Sequence, residues 1–130
     1  MTDEQAEKAS GRVLREHDVA SVEDISPGGM KPVDAGRGRY VVFNIEGAFY
    51  ALRDACPHQG APLSCGSVTG TMLPSNPGQL EYGLEGYVVE CPWHRWKFSI
   101  QTGEAVFGTD ARRVRTVPVV VRDGRVILCI

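Results

Sequence analysis

Two short stretches concentrate the residues that can bind metal. The first is Cys56-Pro57-His58, followed by Gln59-Gly60-Ala61-Pro62-Leu63; the second is Cys91-Pro92-Trp93-His94. Each offers one thiolate and one imidazole, and the proline after each cysteine stiffens the chain there. Residues two apart do not share a helix face, so Cys56 and His58 fit a helix-borne pair poorly. Loops at the end of a β scaffold would let all four side chains converge. Two thiolates and two imidazoles can hold a zinc ion tetrahedrally. Zinc fingers, however, usually place cysteine with cysteine in one element and histidine with histidine in the other. Both elements here are mixed. A mixed pair suits two irons, one taking both cysteines and the other both histidines, so that each loop spans the pair.

The elements that must position these loops read as strands and turns. Tyr40 to Ile45 and Ala48 to Arg53 flank Glu46-Gly47, a hairpin signal, and Val114 to Val121 and Arg125 to Ile130 flank Asp123-Gly124, a clearer one. Pro118 is expected at an edge or a bulge. Tyr87 to Glu90 forms a short strand leading into Cys91, and Trp96 to Ile100 alternates in the manner of another, with a turn over Gln101 to Glu104. Val19 to Val22 suggests a first short strand, and Ser26-Pro27-Gly28-Gly29 and Asp34 to Gly38 suggest turns. Residues 1–18 are expected to form an N-terminal arm or short helix, and residues 19–130 the domain. Thr69 to Gly86, rich in Gly, Pro, Ser and Asn, reads as a long loop. Many closely spaced strands argue for an all-β fold, an antiparallel sandwich or barrel.

With both boxes in place, the chain resembles the Rieske [2Fe–2S] family. The resemblance rests on Cys56-Pro-His-Gln-Gly-Ala-Pro-Leu and Cys91-Pro-Trp-His, with Thr102-Gly103 soon after. It covers residues 19–130, counting the strand pattern. It implies a three-layer antiparallel β fold with one [2Fe–2S] cluster at one tip, held by Cys56, His58, Cys91 and His94. It also implies a carrier of single electrons, either the ferredoxin component of a multicomponent oxygenase or a small oxidoreductase subunit similar to that of nitrite reductase. Its partners would be a flavoprotein reductase and a terminal oxygenase or other redox enzyme. Respiratory members carry an additional cysteine in each box, where this chain has Ala61 and Trp93. They also carry Ser and Tyr hydroxyls where this chain has Trp96 and Phe98. Clusters of this type span about −150 to +300 mV. Without those two hydroxyls, the potential is expected below about 0 mV.

The remaining chemistry is sparse. A complete oxygenase of this family needs a mononuclear iron held by two histidines and a carboxylate. The sequence has three histidines, and once His58 and His94 are used only His17 is left. The chain is therefore read as a carrier rather than an enzyme; the alternative is a zinc-stabilised interaction module without redox activity. Cys65 and Cys129 are expected to be small buried hydrophobes, Cys65 near the cluster by sequence. His17 is expected at the surface. Trp93 and Trp96 are expected to pack around the metal and keep water out. Arg95 and Lys97, and Arg112, Arg113 and Arg115, are either docking charges or solvated surface.

Length and composition agree with one globular domain. The 130 residues are 42% hydrophobic and 23% charged, and the formal net charge of −2 points to neither nucleic acid nor an anionic membrane. Four cysteines could make two bridges in a secreted protein, but thiols placed beside histidines in a reducing compartment point to metal. No apolar run approaches the roughly 18 residues of a spanning helix. The first residues lack the basic and apolar regions of a secretory signal. A soluble, cytoplasmic protein is expected.

Overall fold

The structure is a computed structural model that describes residues 14–57, 60–73, 81–93, 95–107 and 113–130. Eleven strands among them form three antiparallel sheets. Strands β1 (Glu16–Ser21), β11 (Arg125–Cys129) and β10 (Val119–Arg122) make the first, in that order. The second runs β2 (Met30–Ala35), β3 (Gly38–Ile45), β4 (Ala48–Arg53) and β9 (Thr116–Val117). The third runs β5 (Ser67–Leu73), β6 (Glu81–Glu90), β7 (Lys97–Ser99) and β8 (Ala105–Phe107). The only helical pieces among the described residues are single 3-10 turns at Val22–Asp24 and Leu63–Cys65.

The second sheet is the middle layer, and β3 shows why. A strand sends successive side chains to opposite faces. Val41, Phe43 and Ile45 enter one core with Leu52, Phe98 and Val89. Tyr40 and Val42 enter the other with Ala20, Val126 and Leu128. Burial on both faces explains the unbroken run Tyr-Val-Val-Phe, which a strand with one wet face would interrupt with polar residues. The polar exception, Asn44, is satisfied: its Nδ2 donates to Ile25 O at 2.8 Å and its Oδ1 accepts from Gly47 N at 2.8 Å.

Both expected hairpins form. Glu46 and Gly47 have φ of 52° and 93°, and Asp123 and Gly124 of 52° and 74°. Two successive positive-φ residues match the right-handed twist of the strands they join. Pro118 falls between β9 and β10, where the chain leaves the edge of the middle sheet and joins the edge of the first. A residue without an N–H suits that handover, and its carbonyl still accepts from Cys129 N at 3.0 Å.

Two expectations need correction. The first strand starts at Glu16 rather than Val19. Its charged residues pair across the sheet, Glu16 with Arg122 at 2.9 Å and Asp18 with Arg125 at 2.9 Å, so they ride on a strand rather than in a solvated arm. The Arg122 hydrogen bond, helped by its charge, holds the Glu16 carboxyl below its ordinary value. The stretch from Thr69 to Gly86 is largely a hairpin rather than a loop: Thr71 pairs with Gly83, Met72 with Tyr82 and Leu73 with Glu81. The turn-forming residues concentrate in Pro74 to Gly78, outside the described residues, and the flanks carry strand formers such as Thr71 and Tyr82.

Candidate metal centre

The first box leaves the end of β4 and the second leaves the end of β6. Both cysteines reach the same core: Cys56 is 2% and Cys91 1% exposed, packed among Leu63, Phe98 and Ala61. Neither is in a disulfide. His58 and His94 lie outside the described residues.

The two loops are closed in the same way. Cys56 N donates to Ala61 O at 2.7 Å, and Cys56 O accepts from Gly60 N at 2.7 Å. Cys91 N donates to Trp96 O at 2.7 Å, and Cys91 O accepts from Arg95 N at 3.1 Å. In each loop the residue four beyond the cysteine takes positive φ, 77° at Gly60 and 56° at Arg95. Glycine adopts this conformation freely, whereas Arg95 adopts it at a cost of about 1–2 kcal/mol. Two peptide turns of one design thus present two buried thiols to one core.

Backbone contact ties the loops together. Gly66, just after the Leu63–Cys65 turn, abuts Glu90, the residue before Cys91; a Cβ at position 66 would collide with the Glu90 carbonyl oxygen. Asp54 anchors the first loop from below. Its side chain is fully buried, with Oδ1 accepting from Ser64 N at 2.8 Å and Oδ2 from Ser64 Oγ at 2.7 Å and Arg39 Nε at 3.1 Å. The carboxylate joins the chain before Cys56 to the chain after Ala61. Sequence reasoning missed both residues. The available signals were an acid two places before a cysteine in an apolar strand end, and a glycine without an evident turn.

The other expected residues divide. Trp96 is half-buried against the core, but Trp93 is 57% exposed and does not shield it. Trp93 occupies the outward tip of the second loop's turn. Cys129 is buried; Cys65 is exposed, because Leu63 takes the inward position of its 3-10 turn. Cys65 does lie close to the second box, sharing with Cys91 and Arg95 the wall of a shallow hollow of about 200 Å3. His17 is half-buried on β1, its ring near Gly36. Arg95 is exposed and Lys97 half-buried. Arg113 pairs with Glu104 at 3.6 Å, Arg115 is exposed, and Arg112 lies outside the described residues.

Comparison with known proteins agrees with this geometry. Residues 15–118 match the model of the Rieske [2Fe–2S] domain. The ferredoxin component of the naphthalene 1,2-dioxygenase/salicylate 5-hydroxylase systems of Ralstonia sp. is 29% identical over 85% of this chain and 91% of its own length. The 3-phenylpropionate/cinnamic acid dioxygenase ferredoxin subunit of Photorhabdus laumondii is 30% identical over 86% of this chain and 91% of its own length. Among solved structures, a chain from the complex of reduced oxygenase and oxidized ferredoxin in carbazole 1,9a-dioxygenase is similar. It superposes with a TM-score of 0.70 at 27% identity, over 88% of this chain and 92% of that one.

Proposed function

Because the chain belongs to the Rieske [2Fe–2S] domain family, we propose that Cys56, His58, Cys91 and His94 hold its cluster and that it carries single electrons from a flavoprotein reductase to a terminal oxygenase. The observation that carries this reading is the pair of buried, unbridged thiols on two loops closed by the same backbone bonds. The bound cluster supplies the one-electron chemistry, and the protein supplies position, exposure and electrostatics. Cys56 and Cys91 sit where the core excludes water. Asp54 and Gly66 fix the spacing of their loops. The ferredoxin components among the relatives, and the ferredoxin solved with its oxygenase, support a brief docking of the cluster tip onto such a partner. The histidine count supports a carrier rather than a complete oxygenase. A cytoplasmic location goes with this reading, and no described helix is long and apolar enough to cross a membrane.

Iron and sulfide analysis of the purified protein, with electron paramagnetic resonance after reduction, tests the assignment. Equal iron and acid-labile sulfide, lost in Cys56→Ser and Cys91→Ser and retained in Cys65→Ser, is the expected result. A colourless protein holding zinc would overturn it. Protein-film voltammetry of the loaded protein is expected to give a midpoint below about 0 mV.

A further inference from the structure

Five of the described cations face a carboxylate. Lys31 meets Asp24, Arg39 meets Asp54, Arg113 meets Glu104, Arg122 meets Glu16 and Arg125 meets Asp18. Arg37, Arg53 and Arg115 meet none among the described residues, and all three line one hollow of about 360 Å3. They come from separate elements: the β2–β3 turn, the last residue of β4, and the segment just before β9. The backbone brings two of them together, with Arg53 N donating to Arg115 O at 2.9 Å. Like charges gathered around one concavity repel unless an anion joins them.

A second observation points the same way. Tyr40 also lines the hollow and is 2% exposed, yet its hydroxyl makes no hydrogen bond with any described residue. The Arg53 guanidinium lies over its ring, 5.7 Å from the centroid. Gly38 is on the same wall, and a Cβ there would stand 2.8 Å from the Tyr40 hydroxyl oxygen, so glycine makes room for the polar end of the ring. A buried phenol without an acceptor forfeits a hydrogen bond, which native structures seldom tolerate.

We propose that this hollow is an oxyanion site, taking a phosphate or carboxylate group between the guanidinium groups of Arg37, Arg53 and Arg115, with the Tyr40 hydroxyl donating from its floor. Guanidinium forks match the oxygen spacing of both groups. Tyr40 packs into the core on the face of the middle sheet opposite to that holding Cys56 and Cys91. The site is therefore distinct from the metal centre, and it stands whether or not the electron-carrying assignment does.

Isothermal titration calorimetry of the cluster-loaded protein tests it, with inorganic phosphate in one arm and malonate in the other, at ionic strength matched with chloride. Saturable one-site binding is expected in at least one arm, and the tighter arm names the ligand class. The double variant R53Q/R115Q should weaken binding about tenfold or more for each guanidinium lost. Y40F, which keeps the ring, should weaken it about fivefold. R122Q, whose guanidinium already faces Glu16, should bind as the parent does; an unchanged visible spectrum shows that each variant is folded. Absence of saturable heat in both arms, or equal weakening in R122Q, would overturn the proposal.

Discussion

Replacing Asp54 probes how firmly the first loop is held. In Asp54→Ala the Ser64 backbone N–H, the Ser64 hydroxyl and Arg39 Nε all lose their acceptor. Hydrogen bonds to a charged group are worth about 1.5–3 kcal/mol each. The Arg39 contribution is small, under about 1 kcal/mol, because that side chain is 58% exposed and rehydrates. The two Ser64 bonds cannot be replaced as easily, so the loss should total about 3–6 kcal/mol. At about 3–5 °C per kcal/mol for a chain of this size, that lowers the unfolding midpoint by about 10–30 °C. Arg39→Gln should cost under about 1 kcal/mol. Asp54→Asn should fall between them, since its remaining oxygen still accepts from Ser64 N. Denaturant unfolding followed by circular dichroism, with the cluster's visible absorbance recorded in parallel, measures all three. If Asp54→Ala and Arg39→Gln differ by less than about 0.5 kcal/mol, the carboxylate is not the anchor described.

Two further outcomes follow from particular contacts. Gly66→Ala should cost about 1–3 kcal/mol and hasten cluster loss, because its Cβ meets the Glu90 carbonyl while its φ of −89° demands no glycine. Gly60→Ala should cost about 1–2 kcal/mol for the opposite reason, positive φ with open space around the Cβ. Comparing cluster half-lives in urea separates the two, and equal behaviour would argue against the loop-to-loop contact. The Glu16–Arg122 pair should matter only where Glu16 is charged. Its carboxyl is held low in the folded chain, so its stabilising effect is complete above the ordinary carboxylate range and fades as pH falls through the lowered value. Glu16→Gln should therefore differ from the parent in urea midpoint at neutral pH and coincide with it in strong acid.

The closed loops around Cys56 and Cys91 and the two tight hairpins were legible because their signals are local. Glu46-Gly47 and Asp123-Gly124 announce turns from adjacent residues, and each cysteine stands within a few residues of its loop-closing partners. Asp54 and Gly66 were not legible, because their meaning lies in chain segments brought close only by folding: Arg39 and Ser64 for one, Glu90 for the other. Glu16 misled in the same way, since its partner Arg122 is at the far end of the chain. The stretch from Thr69 to Gly86 misled by averaging. Its turn-formers cluster in the middle, and a window over the whole hid the strand formers on either side.

The shared core beneath the two cysteine loops bears on speed. Cys56 and Cys91 press against the same apolar side chains, and Gly66 leaves the two backbones no slack against each other. A close-packed interior resists deformation, so a cluster held by these cysteines, as proposed, would sit in a cradle that keeps its shape when its charge changes. Little nuclear rearrangement would then accompany gain or loss of an electron, and a fleeting encounter would be long enough for the hop.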